Sequence, residues 1–319
     1  MAGTRALCFR SAAVSARQVA QLQQCRRQPR PSVAAAAAAS GGAPADPAEE
    51  RMRAAAAFAA DTFVRDEITI GLGTGQPVNA LIEEVASRLS AGKLRAVRAV
   101  PASDVAAAEA ALHGVPLTTL EEAGGRLDFF FEAADELSND AEGSLAFMIG
   151  CAQQPTQPQL HRARALAAAA TTNVVLADAT AVVPRLGGSL PVAVEWPQEE
   201  AWEDSGELLD DIFLGDAELW RRSTEEGVGP RGGDAPYVSP EGHALIDIRF
   251  YEGLKLLGED ADYGSIAREI ESVEGVVAHG LMANVAAAAV VATAAGPRLV
   301  WRGEQLAAGA GRGGSLGEA

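Results

Sequence analysis

Between Pro47 and Val64, alanines and other apolar residues are interspersed with polar ones at helical spacing, which predicts a first helix. "EITIGLGTG" (Glu67–Gly75) follows. Its short apolar run ends in glycines, as a strand entering a tight turn does. In "PVNALIEEVASRLSAGK" the residues Val78, Leu81, Ile82, Val85 and Leu89 form the stripe of an amphipathic helix. The alternation continues with "LRAVRAVPAS" as a strand and "DVAAAEAALHG" as a helix. "VPLTTLEEAG" reads as a short strand with a turn, and "LDFFFEAADE" and "TTNVVLADAT" as further strands. Strands alternating with helices predict an α/β, Rossmann-like domain with a mostly parallel sheet.

From "LPVAVEW" onward the pattern changes. An acidic helix (Glu199 to Trp220), the loop "TEEGVGPRGGDAPY", a strand "HALIDIRFY" and a helix "YGSIAREIESVEG" predict a smaller inserted α+β lid domain over 189–275. "HGLMANVAAAAVVAT" is expected to return to the main sheet, so that 46–188 and 276–303 form one domain. The tail 304–319 is Gly-rich and expected to be disordered.

Ligands of parallel α/β sheets bind beyond the carboxyl ends of the strands. Three turns sit at such ends: Gly71–Gly75, Pro101-Ala102-Ser103, and Glu132-Ala133-Ala134-Asp135-Glu136. Their convergence predicts one site. In "DFFFEAADELSND" three aromatics run straight into carboxylates, as a core strand opening onto acid–base chemistry would.

Charge and composition narrow the partners. The formal net charge of −17 over 319 residues argues against nucleic acid and anionic membrane. No stretch reads as a membrane span, because "LMANVAAAAVVATAAG" is short, Ala-rich and carries Asn284. Cys8, Cys25 and Cys151 fit no zinc pattern, and His113, His161, His243 and His279 have no metal-ligand spacing, so no metal or cofactor is expected. Residues 1–45 carry six arginines and no acid, with abundant Ser and Ala. This reads as an organelle transit peptide, to the chloroplast or alternatively the mitochondrion. Its removal would leave a net charge of about −23.

Taken in order, "GLGTG", "VPAS", "GVPLTTLEE", "DFFFEAADEL", "VVLADAT" with "LGGSLPVAVE", "PYVSPEGHALIDI" and "EGVVAHGLM" resemble ribose-5-phosphate isomerases of the A type, most of all plastid forms. The resemblance runs from about residue 50 to 300. It implies aldose–ketose isomerisation of ribose 5-phosphate and ribulose 5-phosphate through an enediolate, without a cofactor. It also implies an oligomer, of this chain alone or with a true isomerase.

Carried over residue by residue, the resemblance is strongest in the frame. The family's phosphate loop, G-x-G-T-G-S-T-A, becomes Gly71-Leu72-Gly73-Thr74-Gly75-Gln76-Pro77-Val78. Gly73, Thr74, Gly75 and Gln76 are therefore the expected phosphate ligands at a helix N-terminus. Pro77 suits the first helical turn but offers no N–H. Arg53 stands where the family has a lysine in the first helix, and Ser103 keeps one hydroxyl of the family's P-T-S turn. The family's D-G-A-D-E becomes Glu132-Ala133-Ala134-Asp135-Glu136, which makes Asp135, Glu132 and Glu136 the expected catalytic acids. Beyond this turn the likeness fails. Gly150 stands at the family's oxyanion-side lysine, Ala163 at its proton-transferring glutamate, and Ala181 at a second lysine. No lysine lies between Lys93 and Lys255, which leaves Glu142, His161, Arg162 or Arg164 as the groups to replace them. The site residues predict a catalytically weak or lost isomerase that binds a sugar phosphate or serves as a non-catalytic subunit. Family membership alone predicts a working one. A nucleotide-binding oxidoreductase is set aside, since GLGTG lacks the full dinucleotide pattern and no acid is placed for a ribose hydroxyl.

Overall fold

A computed structural model describes residues 46–140, 142–151, 159–196, 201–256 and 262–306. The leader 1–45, most of "CAQQPTQPQ" and the tail beyond 306 lie outside the described residues.

The protein is α/β. The main sheet has six strands, in the order β13-β12-β6-β3-β1-β2. They are β1 (Thr69–Leu72), β2 (Arg98–Pro101), β3 (Leu127–Ala133), β6 (Ala170–Asp178), β12 (Ala288–Thr293) and β13 (Gly296–Trp301). All pairings are parallel except β12 with β13, an antiparallel edge. Helix α1 (Pro47–Phe63) starts where the Asp46 side chain accepts from Ala48 N–H at 3.0 Å, with Pro47 in its first turn. With α2 (Gln76–Ser90) it covers one face of the sheet, burying Val78, Leu81, Ile82 and Val85. The period-two pleat of β3 explains the aromatic run: Phe131 packs under α1 and α2, while Phe130 faces the opposite cluster. On the first face Phe63 lies 5.7 Å from Phe129 and 6.2 Å from Phe131, ring centre to ring centre. Gly71 lets these layers close, since a Cβ there would come within 2.7 Å of the Phe130 ring. Helices α3 (Asp104–His113) and α4 (Leu160–Ala169) complete the wrapping.

Two smaller sheets, both antiparallel, stand beside this layer. One is β10-β7-β9-β8, built from β7 (Ser189–Val194), β8 (Ala217–Arg221), β9 (Ala244–Phe250) and β10 (Val276–His279). It is packed by α5 (Ala201–Ile212) and α6 (Tyr263–Ser272). The other is β11-β5-β4, from β4 (Glu136–Asn139), β5 (Leu145–Met148) and β11 (Leu281–Ala283).

Several sequence expectations need correction. The acidic helix does not reach Trp220. It ends at Ile212, and after a left-handed Gly215 (φ 82°) the chain reverses into β8, where Leu219 pairs with Ile248. "VPLTTLEEAG" forms only a single bridge, Ala99 to Leu117. "HGLMANVAAAAVVAT" is split: β11 joins the three-stranded sheet and only β12 enters the main one. Strands β4, β5 and β13 were not expected. No helix among the described residues is long and apolar enough to cross a membrane.

Candidate active site

Register brings the three predicted turns together. Leu72 pairs with Pro101 on one side and with Phe131 on the other, so β2, β1 and β3 end side by side. Thr74 joins all three: its hydroxyl donates to Ser103 Oγ at 2.7 Å, and its N–H donates to Glu132 Oε1 at 2.7 Å. Ser103 is also the N-cap of α3, accepting from Ala106 N–H at 3.1 Å.

Glu132 lies directly beneath the glycine loop. It is 3% exposed, and a Cβ on Gly73 would fall 2.0 Å from its Oε1. A side chain at 73 would have to displace this carboxyl. Burial pushes the Glu132 carboxyl up to about 8, against the opposing effect of the Thr74 and Ala133 N–H groups. The extra methylene relative to an aspartate thus carries an acid into contact with the loop that the sequence reserves for phosphate. Gly75 has φ 140°, and a Cβ there would meet Ala133 Cβ at 2.7 Å. Ala133 itself is ordinary strand, so its replacement of a family glycine strains no backbone. The N-cap of α2, Gly75, makes no side-chain cap hydrogen bond, and Pro77 in the first turn has no N–H to offer.

The other expected phosphate ligands are less committed to the loop. Gln76 is exposed. Arg53 is exposed and pairs with Glu49 at 2.6 Å. Both border a cleft of about 290 Å³ between α1 and α2 that also carries Asp46, Glu49 and Glu83. Arg51, two residues before Arg53 and so on the other side of α1, is the cation that reaches a strand end, pairing with Asp178 at 3.3 Å. Burial of Asp178 opposes ionisation, but Thr180 and Arg51 outweigh it and hold its carboxyl low.

At the far side of the turn the acids diverge in role. Glu136 accepts from Gly187 N–H at 2.8 Å and Gly188 N–H at 3.0 Å, fastening the turn before β7. Asp135 is exposed at the turn, and its carboxylate accepts from Cys151 N–H at 2.8 Å. Desolvation by the surrounding protein raises the Asp135 carboxyl, while the Cys151 and Gly150 N–H groups and the Arg222 charge oppose this.

The replaced positions are explicit. Gly150 adopts φ 74°, a left-handed conformation that suits glycine and strains a lysine. Ala163 is buried on α4 in an apolar cluster with Leu160, Leu166 and Ala167. Ala181 lies in a 3₁₀ turn after β6. Of the groups expected to replace them, Arg162 pairs with Asp104 at 3.2 Å and its backbone N–H is capped by Glu241. Arg164 pairs with Glu271. Glu142 sits on an exposed turn, held by Asp140. His161 is half-buried, with its N–H directed to Glu241 at 3.3 Å. The cation that does approach Gly150 is Arg222, at the end of β8: Nη2 donates to Gly150 O at 3.0 Å. Sequence reasoning missed it because nothing in "LWRRSTEEG" ties an arginine to a loop some seventy residues earlier.

Among the described residues one group has metal-ligand proximity, Glu83, Glu109 and His113, with ligand atoms within 4.8 Å of one another. Glu83 lies on α2, and Glu109 and His113 lie on α3.

This is an α/β protein whose glycine loop, hydroxyl turn and acid turn gather at parallel strand ends, where proteins of this class bind their ligands. Comparison with known proteins gives the lineage. The family pattern of ribose 5-phosphate isomerase A (phosphoriboisomerase A) matches residues 98–296. Ribose-5-phosphate isomerase A of Roseiflexus sp. (strain RS-1) is 35% identical over 229 residues, covering 72% of this chain and 86% of the relative. The protein of the same name from Synechococcus sp. (strain JA-3-3Ab) is 31% identical, covering 76% and 94%. Among solved structures, ribose 5-phosphate isomerase from Plasmodium falciparum superposes with a TM-score of 0.66 at 24% identity, over 79% of this chain and 98% of that one. A D-ribose-5-phosphate isomerase in complex with phospho-erythronic acid gives 0.65 at 25% identity, covering 79% and 99%. The chain belongs to the ribose 5-phosphate isomerase A family.

Proposed function

We propose that this chain is a sugar-phosphate-binding member of the family in which isomerisation of ribose 5-phosphate is weak or lost. One observation carries the reading: the positions of the family's lysine and glutamate are a left-handed Gly150 and a core-buried Ala163. Moving a proton between C2 and C1 needs a base within hydrogen-bond reach and donors at the developing oxyanion. Of the two lysines, Lys255 pairs with Glu252 at 2.8 Å and Lys93 follows α2 on the surface.

Retained binding is supported by the uncapped α2 N-terminus, by the Thr74–Ser103 hydroxyl pair and by Asp135. That a solved relative was obtained with phospho-erythronic acid supports the ligand class. A non-catalytic or regulatory subunit of a true isomerase, in a homo- or hetero-oligomer, is the role such a protein would fill. Residues 1–45 would direct it to the chloroplast, with the mitochondrion as the alternative.

The test is turnover of the purified chain lacking residues 1–45. Loss of a general base from a median enzyme predicts about 10⁻¹ to 10⁻³ s⁻¹. A rate near about 10 s⁻¹ sinks the proposal. Calorimetry with ribose 5-phosphate then checks the binding arm, which fails if millimolar ligand gives no heat and no thermal shift.

A further inference from the structure

Arg222 and Tyr237 sit on adjacent segments, with Tyr237 N–H donating to Arg222 O at 2.9 Å. The Arg222 side chain is 5% exposed and held from one side: Nε and Nη2 donate to the two oxygens of Asp247 at 2.9 and 2.5 Å. Nη2 also reaches Gly150 O, beside the Cys151 N–H that holds Asp135. Arg222 Nη1 and Tyr237 Oη remain. Both are buried and neither has a hydrogen-bond partner. An unmade buried donor costs free energy, and these two lie on hydrogen-bonded neighbouring segments, with Arg222 reaching the Gly150–Cys151 end of the acid turn.

We propose that Arg222 Nη1 and Tyr237 Oη form a subsite for a negatively charged oxygen at the C1–C2 end of a phosphorylated sugar, facing Asp135 and Gly150. The small sheet thereby delivers from Arg222 the positive charge that position 150 lacks. Burial raises the Asp135 carboxyl, the Cys151 thiol and the Tyr237 hydroxyl, and the nearby Arg222 charge opposes that rise in each. Two donors on one acceptor select an enediolate or a sugar acid over a neutral polyol. The inference rests on the reading that sugar-phosphate binding is retained, and it makes Arg222 and Tyr237 binding residues, with no proton-transfer role.

The test compares D-ribonate 5-phosphate with D-ribitol 5-phosphate by calorimetry on the chain lacking residues 1–45. The two share phosphate and carbon skeleton and differ in the charge at C1. The expected result is a preference of about tenfold or more for the acid. Tyr237→Phe keeps the ring and removes only the unpartnered hydroxyl, so it should fold normally and lose several-fold of that preference while ribitol 5-phosphate binding holds. Arg222→Lys keeps a charge but loses the fork, and should lower the preference further. Equal affinity for the two ligands, or an unchanged preference in Tyr237→Phe, overturns the inference and leaves retained binding standing. If neither ligand binds, both readings fall.

Discussion

Glu132 ties the glycine loop to a proton. Its carboxyl is raised from an ordinary value of 4.5 to about 8, so the folded protein holds a proton that the unfolded chain releases. The stability this confers is complete below about pH 4.5 and is lost as pH rises through about 8. Denaturant melts across this range should show wild type losing on the order of a few kcal/mol, and Glu132→Gln a flatter profile. Parallel profiles would mean that the carboxyl is not buried as described. Gly150 supports a second expectation. Restoring the family's side chain by Gly150→Lys forces a Cβ into φ 74° and should cost about 1–2 kcal/mol. It should not bring turnover to ordinary rates, because Ala163 still supplies no base. Rapid isomerisation by that variant would show that the lysine alone was limiting.

The glycine loop and β3 depend on each other as elements. Gly75 turns the chain into α2 at φ 140° with Ala133 beneath it. Gly75→Ala therefore meets both backbone strain and a Cβ–Cβ clash, and a loss of about 1–3 kcal/mol is expected in chemical unfolding. Adding Ala133→Gly removes the clash and leaves the strain, so the double variant should recover part of the loss. No recovery would place the whole cost in the backbone. These elements were also the legible ones. The apolar stripe of α2, the glycine end of β1 and the aromatic run of β3 are local patterns set by helical and strand periods. The hairpin β4–β5 was not legible, because each strand has four residues and finds its register only against its partner and β11. Strand β8 was hidden for a related reason: its acidic and aromatic residues continue the α5 composition, and only pairing with β9 makes it a strand.

Across the whole molecule, Arg222 and Asp247 link the four-stranded sheet to the Gly150 end of β5. Both are buried, at 6% and 1% exposure, so their value depends on staying together. Arg222→Met alone leaves Asp247 charged and unpaired and should cost about 3–5 kcal/mol. Arg222→Met with Asp247→Leu should recover most of it while still losing any charge-dependent ligand preference. If the double variant is as unstable as the single one, the pair is not the source of the loss. The sequence by itself determined the α/β class, the family and the three turns at the strand ends, because periodicity and short motifs are properties of neighbours along the chain. It also exposed the replacements at Gly150 and Ala163, which are matters of identity alone. Only the tertiary structure decided that Glu132 reaches into the glycine loop, that Glu136 fastens Gly187 and Gly188, that Arg162 pairs with Asp104 next to Ser103, and that Arg164 pairs with Glu271. It alone brought Arg222 to Gly150, since burial, charge pairing and free donors arise from contacts between segments that no local pattern encodes.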